Sequence, residues 1–118
     1  MFQEKDKKKK EEYMKIVAVT SCPSGVAHTY MSAEALKKAA LARGHKIKAE
    51  TQGQIGIENE LSVQDIEKAD VVILTTDVAL KNTERFKGKP IVKVTVADAV
   101  KKAQIIMEKI EEAINKKK

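Results

Sequence analysis

Two short runs, Ile16-Val17-Ala18-Val19 and Val71-Val72-Ile73-Leu74, are apolar at every position and rich in β-branched residues. They constrain the fold of this chain more than any other feature. A strand with one wet face alternates polar with apolar side chains, whereas a strand covered on both faces does not. Both runs therefore predict central strands of a parallel sheet. Two other segments, Lys46 to Thr51 and Ile91 to Thr95, place lysines at Lys46, Lys48 and Lys93 among apolar residues. They read as edge strands that charge protects from unwanted pairing.

Helices are predicted between and after these strands. One runs from about Val26 to Arg43, with Ala27, Met31, Ala35, Ala39 and Ala42 at helical spacing and Gly44 placed to stop it. A short one follows Leu61, where Ser62 and Asp65 have capping-box spacing and Leu61 with Ile66 suits a hydrophobic staple. The last opens at Thr95 or Val96 and carries Val100, Ala103, Met107, Ile110 and Ile114 as one stripe. Gln52 to Glu60, with two glycines, reads as a loop. The segment from Val78 to Lys89 has little periodicity and closes on a Gly-Lys-Pro turn.

Strands alternating with helices, each crossover right-handed, give an α/β fold. The expected architecture is an open, Rossmann-like, four-stranded parallel sheet in the order 2-1-3-4, with helices on both faces. Its winding reverses between the first and third strands, and open sheets of this kind bind ligands there, beyond the carboxyl ends of the strands. At 118 residues the chain suits one domain, read as residues 13–118, preceded by an almost wholly charged, flexible leader over residues 1–12.

The segment filling that reversal point is Thr20-Ser21-Cys22-Pro23-Ser24-Gly25-Val26-Ala27-His28-Thr29, which holds the only cysteine. Isolated cysteines usually behave as small buried hydrophobes, and a Ser/Gly/Pro turn is often only a turn. Here the cysteine precedes a helix start, where unpaired backbone N–H groups and partial positive charge favour a thiolate and any anion attached to it. Gly25 lets backbone approach a ligand closely, and Pro23 stiffens the turn without contributing an N–H. The loop thus reads as a phosphate cradle containing a nucleophile. Ser24, Thr29 and His28 are candidate donors to the phosphoryl oxygens, together with the N–H groups of the loop.

These residues resemble the phosphorylation loop of the fructose-type enzyme IIB domains of the bacterial sugar phosphotransferase system. Further blocks are similar in the same order: Glu50-Thr51-Gln52-Gly53, Gly56 to Leu61, Ala69 to Leu74 with Asp77, and Arg85 to Pro90. The resemblance covers about residues 15–100. It implies that Cys22 accepts a phosphoryl group from a phosphohistidine on a IIA component and passes it to a sugar held by the membrane-embedded IIC component. It also implies a cytoplasmic chain, peripheral to the membrane through IIC, with no cofactor or metal and monomeric in isolation. Gln52 and Asp77 are the neighbours expected beside the loop.

A low-molecular-weight, cysteine-dependent phosphatase is the rival reading, because that class also places a cation at the sixth position after its cysteine. Its cation is arginine, whose planar fork binds two phosphate oxygens; here the position is His28, with at most two donors. Asp77 would then be a general acid, or else would simply cap the next segment and set a negative field beside the site. His45, beside the helix-ending Gly44, reads as a surface residue. The single cysteine excludes a disulfide framework and a thiolate zinc site, and suits a reducing compartment. A net charge of +6 raises nucleic-acid binding. Clustering of lysines in the tails and the scarcity of aromatic residues (3%) argue against it and leave an acidic protein partner as the better account.

Overall fold

The computed structural model describes residues 14–22, 26–53 and 56–117. The predicted leader and Pro23 to Gly25 lie outside the described residues. β1 (Lys15–Thr20) is buried from Ile16 onward and pairs in parallel with β2 (Lys46–Gly53) on one side and β4 (Val71–Thr75) on the other. β5 (Ile91–Val94) adds in parallel beyond β4, and its alternating exposure marks it as an edge. The four predicted strands thus keep their expected order.

The sheet is nevertheless mixed and has five strands. Within the segment expected to be a loop, β3 (Gly56–Glu58) pairs antiparallel with the end of β2, matching Thr51 with Glu58 and Gly53 with Gly56. The full order is β3-β2-β1-β4-β5, which corrects the all-parallel, four-stranded expectation. A strand of three residues is too short to show any periodicity, and the flanking glycines resemble loop punctuation. β2 is therefore an open edge only over its first half, where Lys46 and Lys48 are exposed.

Helices cover both faces. α1 (Val26–Ala42), α3 (Val96–Lys101) and α4 (Ala103–Lys117) pack on the face formed by Ile16, Ala18, Ala49, Val71 and Ile73. α2 (Val63–Lys68) and a 3-10 turn (Thr83–Phe86) lie on the other, against Val17, Val19, Val72 and Leu74. Successive residues of β1 and β4 enter opposite cores, which is why both runs are apolar throughout.

The buried stripe of α1 is rotated in part from the predicted one. Ala39 is buried and Ala35 partly buried as expected, but Thr29, Ser32, Ala33, Leu36 and Ala40 are buried as well, whereas Met31 is half exposed and Ala42 exposed. Alanine occurs all around this helix and gives little direction. Ser32 enters the core because its hydroxyl donates to the Thr29 carbonyl at 2.8 Å.

The ends of the elements follow the sequence closely. Gly44, at φ +84°, closes α1: the His45 N–H donates to the Ala40 carbonyl and the Gly44 N–H to that of Leu41, a Schellman motif. Ser62 and Asp65 form the reciprocal capping box of α2. The single final helix that was expected is instead bent at Lys102 into α3 and α4, although Lys102 N–H to Asp98 and Ile106 N–H to Lys102 carry the hydrogen-bond ladder through the bend.

His45 is not at the surface. It is buried, its Nδ1 accepts the Met14 N–H at 2.9 Å, and its Nε2 lies 2.6 Å from the Glu111 carboxylate. With Nδ1 an acceptor, the ring proton sits on Nε2 and is donated to Glu111. Arg43 adds two bonds to the same carboxylate, so the entry to β1, the end of α1 and α4 share one anchor.

Arg43 foremost, and His45 with it, hold the Glu111 carboxyl at about 2 against a partial opposing effect of burial. An unfolded-chain glutamate takes up its proton near 4.5. A depressed folded-state value means stability that is fully present above pH 4.5 and lost as pH falls toward 2. Glu111→Gln should therefore lower the Tm at pH 7 by about 5 °C and flatten the fall in Tm between those pH values. Identical pH profiles in thermal scans of the two proteins would contradict the anchor.

Candidate functional site

Cys22 lies two residues beyond β1, half-buried, at the carboxyl ends of the strands. β1 is flanked there by β2 and β4, and the winding reverses between β1 and β4. The residue before it is clamped from both sides. The Ser21 N–H donates to Thr75 Oγ1 at 3.0 Å, the Thr75 hydroxyl lies 3.3 Å from the Ser21 carbonyl, and the Ser21 hydroxyl donates to the Gln52 carbonyl at 2.7 Å. The far stem is tied by the Thr20 hydroxyl, which donates to the Thr29 carbonyl at 3.1 Å. Thr20, Thr29 and Thr75 are all buried, so both ends of the cysteine loop are fixed to the sheet and to the first turns of α1.

α1 begins at Val26, four residues beyond Cys22, and brings its unpaired N–H groups to this loop. Of the predicted phosphate donors, His28 is exposed on the first turn and Thr29 is buried in the stem. Ser24 and Gly25 lie outside the described residues, as does Pro23. Val26 and Ala27 open the helix.

The two expected neighbours have definite tasks. Asp77 is exposed and accepts the Val96 N–H at 2.7 Å, capping the start of α3. Gln52 meets the stem of the loop through its backbone carbonyl, at Ser21. Its amide bridges elsewhere: Oε1 accepts the Lys81 N–H at 2.8 Å, and Nε2 donates to the Lys81 carbonyl at 3.1 Å and to Glu50 at 2.9 Å.

Glu50 is the residue that sequence reasoning missed as part of this region. It is fully buried, and its carboxylate accepts from Arg85 at 2.6 Å, from Gln52 and from the Leu61 N–H at 2.9 Å. Burial alone would push this carboxyl up. The hydrogen bonds from Arg85, Gln52 and Leu61 outweigh it and hold the group below the ordinary glutamate range. One signal was available: Glu50 continues the alternation of Lys46 and Lys48 with the opposite charge. Ser21 and Thr75 offered none, since small hydroxyl residues at strand ends are common.

The fold and this arrangement define an open α/β domain whose one cysteine is presented at the sheet's reversal point, in front of a helix N-terminus. The family model described as "PTS system, Lactose/Cellobiose specific IIB subunit" matches residues 17–116. Among curated proteins, the "PTS system fructose-like EIIB component 2" of Escherichia coli K12 is 63% identical over 97 residues, 82% of this chain and 92% of that protein. The "fructose-like EIIB component 1" of the same strain is 43% identical over 100 residues, 85% and 93% of the two chains.

Solved structures agree. The solution structure of an enzyme IIB subunit of the PTS system from E. coli K12 superposes with a TM-score of 0.83 at 41% identity, covering 89% of this chain and 97% of that one. A crystal structure of a domain of the fructose-specific IIABC component from Borrelia burgdorferi gives 0.77 at 44%, covering 82% and 92%. The chain belongs to the IIB family of the PTS system and is a fructose-type IIB domain.

If Thr75 holds Ser21, Thr75→Val keeps the shape of the side chain and leaves a partly buried N–H without its acceptor. Urea denaturation should show a loss of about 1–3 kcal/mol. An unchanged midpoint would mean that the Thr75 clamp does not stabilise the loop stem.

Proposed function

We propose that this IIB domain is a phosphoryl carrier in which Cys22 is the transient acceptor. The observation that carries this reading is the position of Cys22, just past a clamped strand end and four residues before α1 begins, in a chain of the IIB family. The Cys22 thiolate attacks phosphorus on a phosphohistidine of a IIA component. The S–P bond forms as the N–P bond breaks, and the leaving imidazole nitrogen keeps the electron pair and takes a proton. A sugar hydroxyl held by the membrane IIC component then attacks the same phosphorus, and the thiolate departs. The domain acts between the two partners as a phosphotransferase and meets the sugar only through IIC.

The loop supports acceptance without hydrolysis. On this reading the phosphoryl oxygens take their donors from backbone N–H groups of residues 24–29, a kind of donor that does not titrate. No described helix is long and apolar enough to cross a membrane, which agrees with a domain working at the inner membrane face through IIC. The phosphatase alternative has less in its favour. His28 occupies the position where that class uses arginine, and the carboxylate of Asp77, its candidate acid, is engaged in capping Val96.

Incubation with a phosphohistidyl IIA donor, followed by intact-mass and peptide mass spectrometry, should find one phosphoryl group on Cys22. Cys22→Ser should lose it while keeping the wild-type circular dichroism. Asp77→Ala should cost about 1 kcal/mol of stability and still accept the label. No label with an active donor would end the carrier reading, and steady turnover of aryl phosphates would favour the phosphatase.

A further inference from the structure

Gln52 lies near the end of β2, whereas Lys81 lies in the segment that leaves β4, and the sheet order places β1 between them. Thr76 and Asp77 are held on the β5 side, at Val94 and Val96, and the bonds from the Gln52 amide to the N–H and carbonyl of Lys81 then draw residues 78–81 back across the carboxyl end of β1. Register fixes the side on which they cross. Glu50 pairs with Val19 and shares its face, and Val19 packs with Leu61 and Phe86, opposite the face covered by α1. The carboxyl end of β1, which leads into Cys22, is thus bounded by the α1 side of the sheet on one face and by this strap on the other.

What orients the Gln52 amide is Glu50. A primary amide rotates through a broad torsion and would sample both of its faces. Nε2 is committed by the Glu50 carboxylate, which leaves Oε1 to face the Lys81 N–H. Glu50 is in turn fixed by Arg85, four residues beyond Lys81 in the 3-10 turn, with its guanidinium 4.8 Å from the Phe86 ring centre.

We propose that Gln52, oriented by Glu50 and Arg85, is a positioning residue for phosphoryl transfer: it straps residues 78–81 over the end of β1 as the second wall of the Cys22 site. The inference rests on the carrier reading. The Gln52 carbonyl accepts from Ser21 at the stem of the loop, while its amide is engaged by Glu50 and Lys81, so the side chain acts through the strap. The strap holds the acceptor in register with the incoming phosphorus while contributing little to docking of the donor protein. Its loss should then appear in kcat and not in KM.

The test uses the full chain with a phosphohistidyl IIA donor. Gln52→Met keeps length and volume and removes all three amide bonds. We expect kcat for phosphoryl acceptance to fall about tenfold with KM within twofold of wild type, and the backbone amide resonances of Lys81 and Ser21 to move in 15N–1H spectra. Gln52→Asn, too short to reach both Glu50 and Lys81, should show the same pattern and serves if the Met variant is unstable. The double variant Glu50→Gln with Arg85→Met removes the charges but keeps an acceptor for Gln52. It should recover most of the kcat that Arg85→Met alone loses.

If the wild type accepts no phosphoryl group, the carrier reading falls and takes this inference with it. If the wild type is phosphorylated while Gln52→Met and Gln52→Asn match its kcat, or raise KM alone, the strap is not a positioning device and only this inference is overturned.

Discussion

One buried carboxylate holds together the parts of this domain that the sheet by itself does not. Glu50 is fully enclosed at the end of β2 and gathers Arg85 from the 3-10 turn, the Leu61 N–H from the entry to α2, and the Gln52 amide. An enclosed carboxylate is costly unless its oxygens are satisfied, and removing one partner of such a pair typically costs about 3–5 kcal/mol. The three connections are therefore interdependent, because each is needed for the charge to be tolerated by the others. Segments that would otherwise be surface loops acquire a fixed place beside the strand ends.

That fixed place matters because the proposed acceptor, Cys22, lies where the sheet stops. Beyond Thr20, β1 has no further pairing with β2 or β4, and the cysteine loop must take its geometry from side chains. Thr75 and Thr20 provide the near contacts, at Ser21 and at the first turns of α1. Glu50 and Gln52 provide the outer one, at Lys81. A phosphoryl acceptor benefits from such rigidity because the helix N-terminus stabilises negative charge only over a short range, within its first turn. The anchor of His45, Glu111 and Arg43 at the opposite end of β1 completes the strand's constraint without touching the site.

Much of this was legible in the residues. Continuous apolar runs at Ile16 and Val71 identified the central strands. Gly44 marked the end of α1, and the Ser62–Asp65 spacing the start of α2, because caps are local and have specific chemistry. The cysteine loop was legible both from its place between a strand and a helix and from its likeness to a known family. What stayed hidden depends on contacts between residues distant in sequence. β3 is three residues of backbone pairing with no pattern of its own. His45 is buried by Glu111, 66 positions away. Glu50 is neutralised by Arg85, 35 positions on, and from sequence both look like ordinary charged surface residues. The rotated face of α1 has another cause: alanines and a self-satisfied serine pack about as well on either side.

The account turns on a phosphoryl group bonded to sulfur and held by the loop backbone. Phosphorus-31 NMR of the protein after reaction with a phosphohistidyl donor tests this most directly, since S-linked and N-linked phosphoryl groups resonate at distinct positions. The account predicts one S-linked resonance, absent in Cys22→Ala, with amide shifts on phosphorylation concentrated at Cys22 and the first turn of α1. An N-linked resonance that survives Cys22→Ala and disappears in His28→Ala would contradict it.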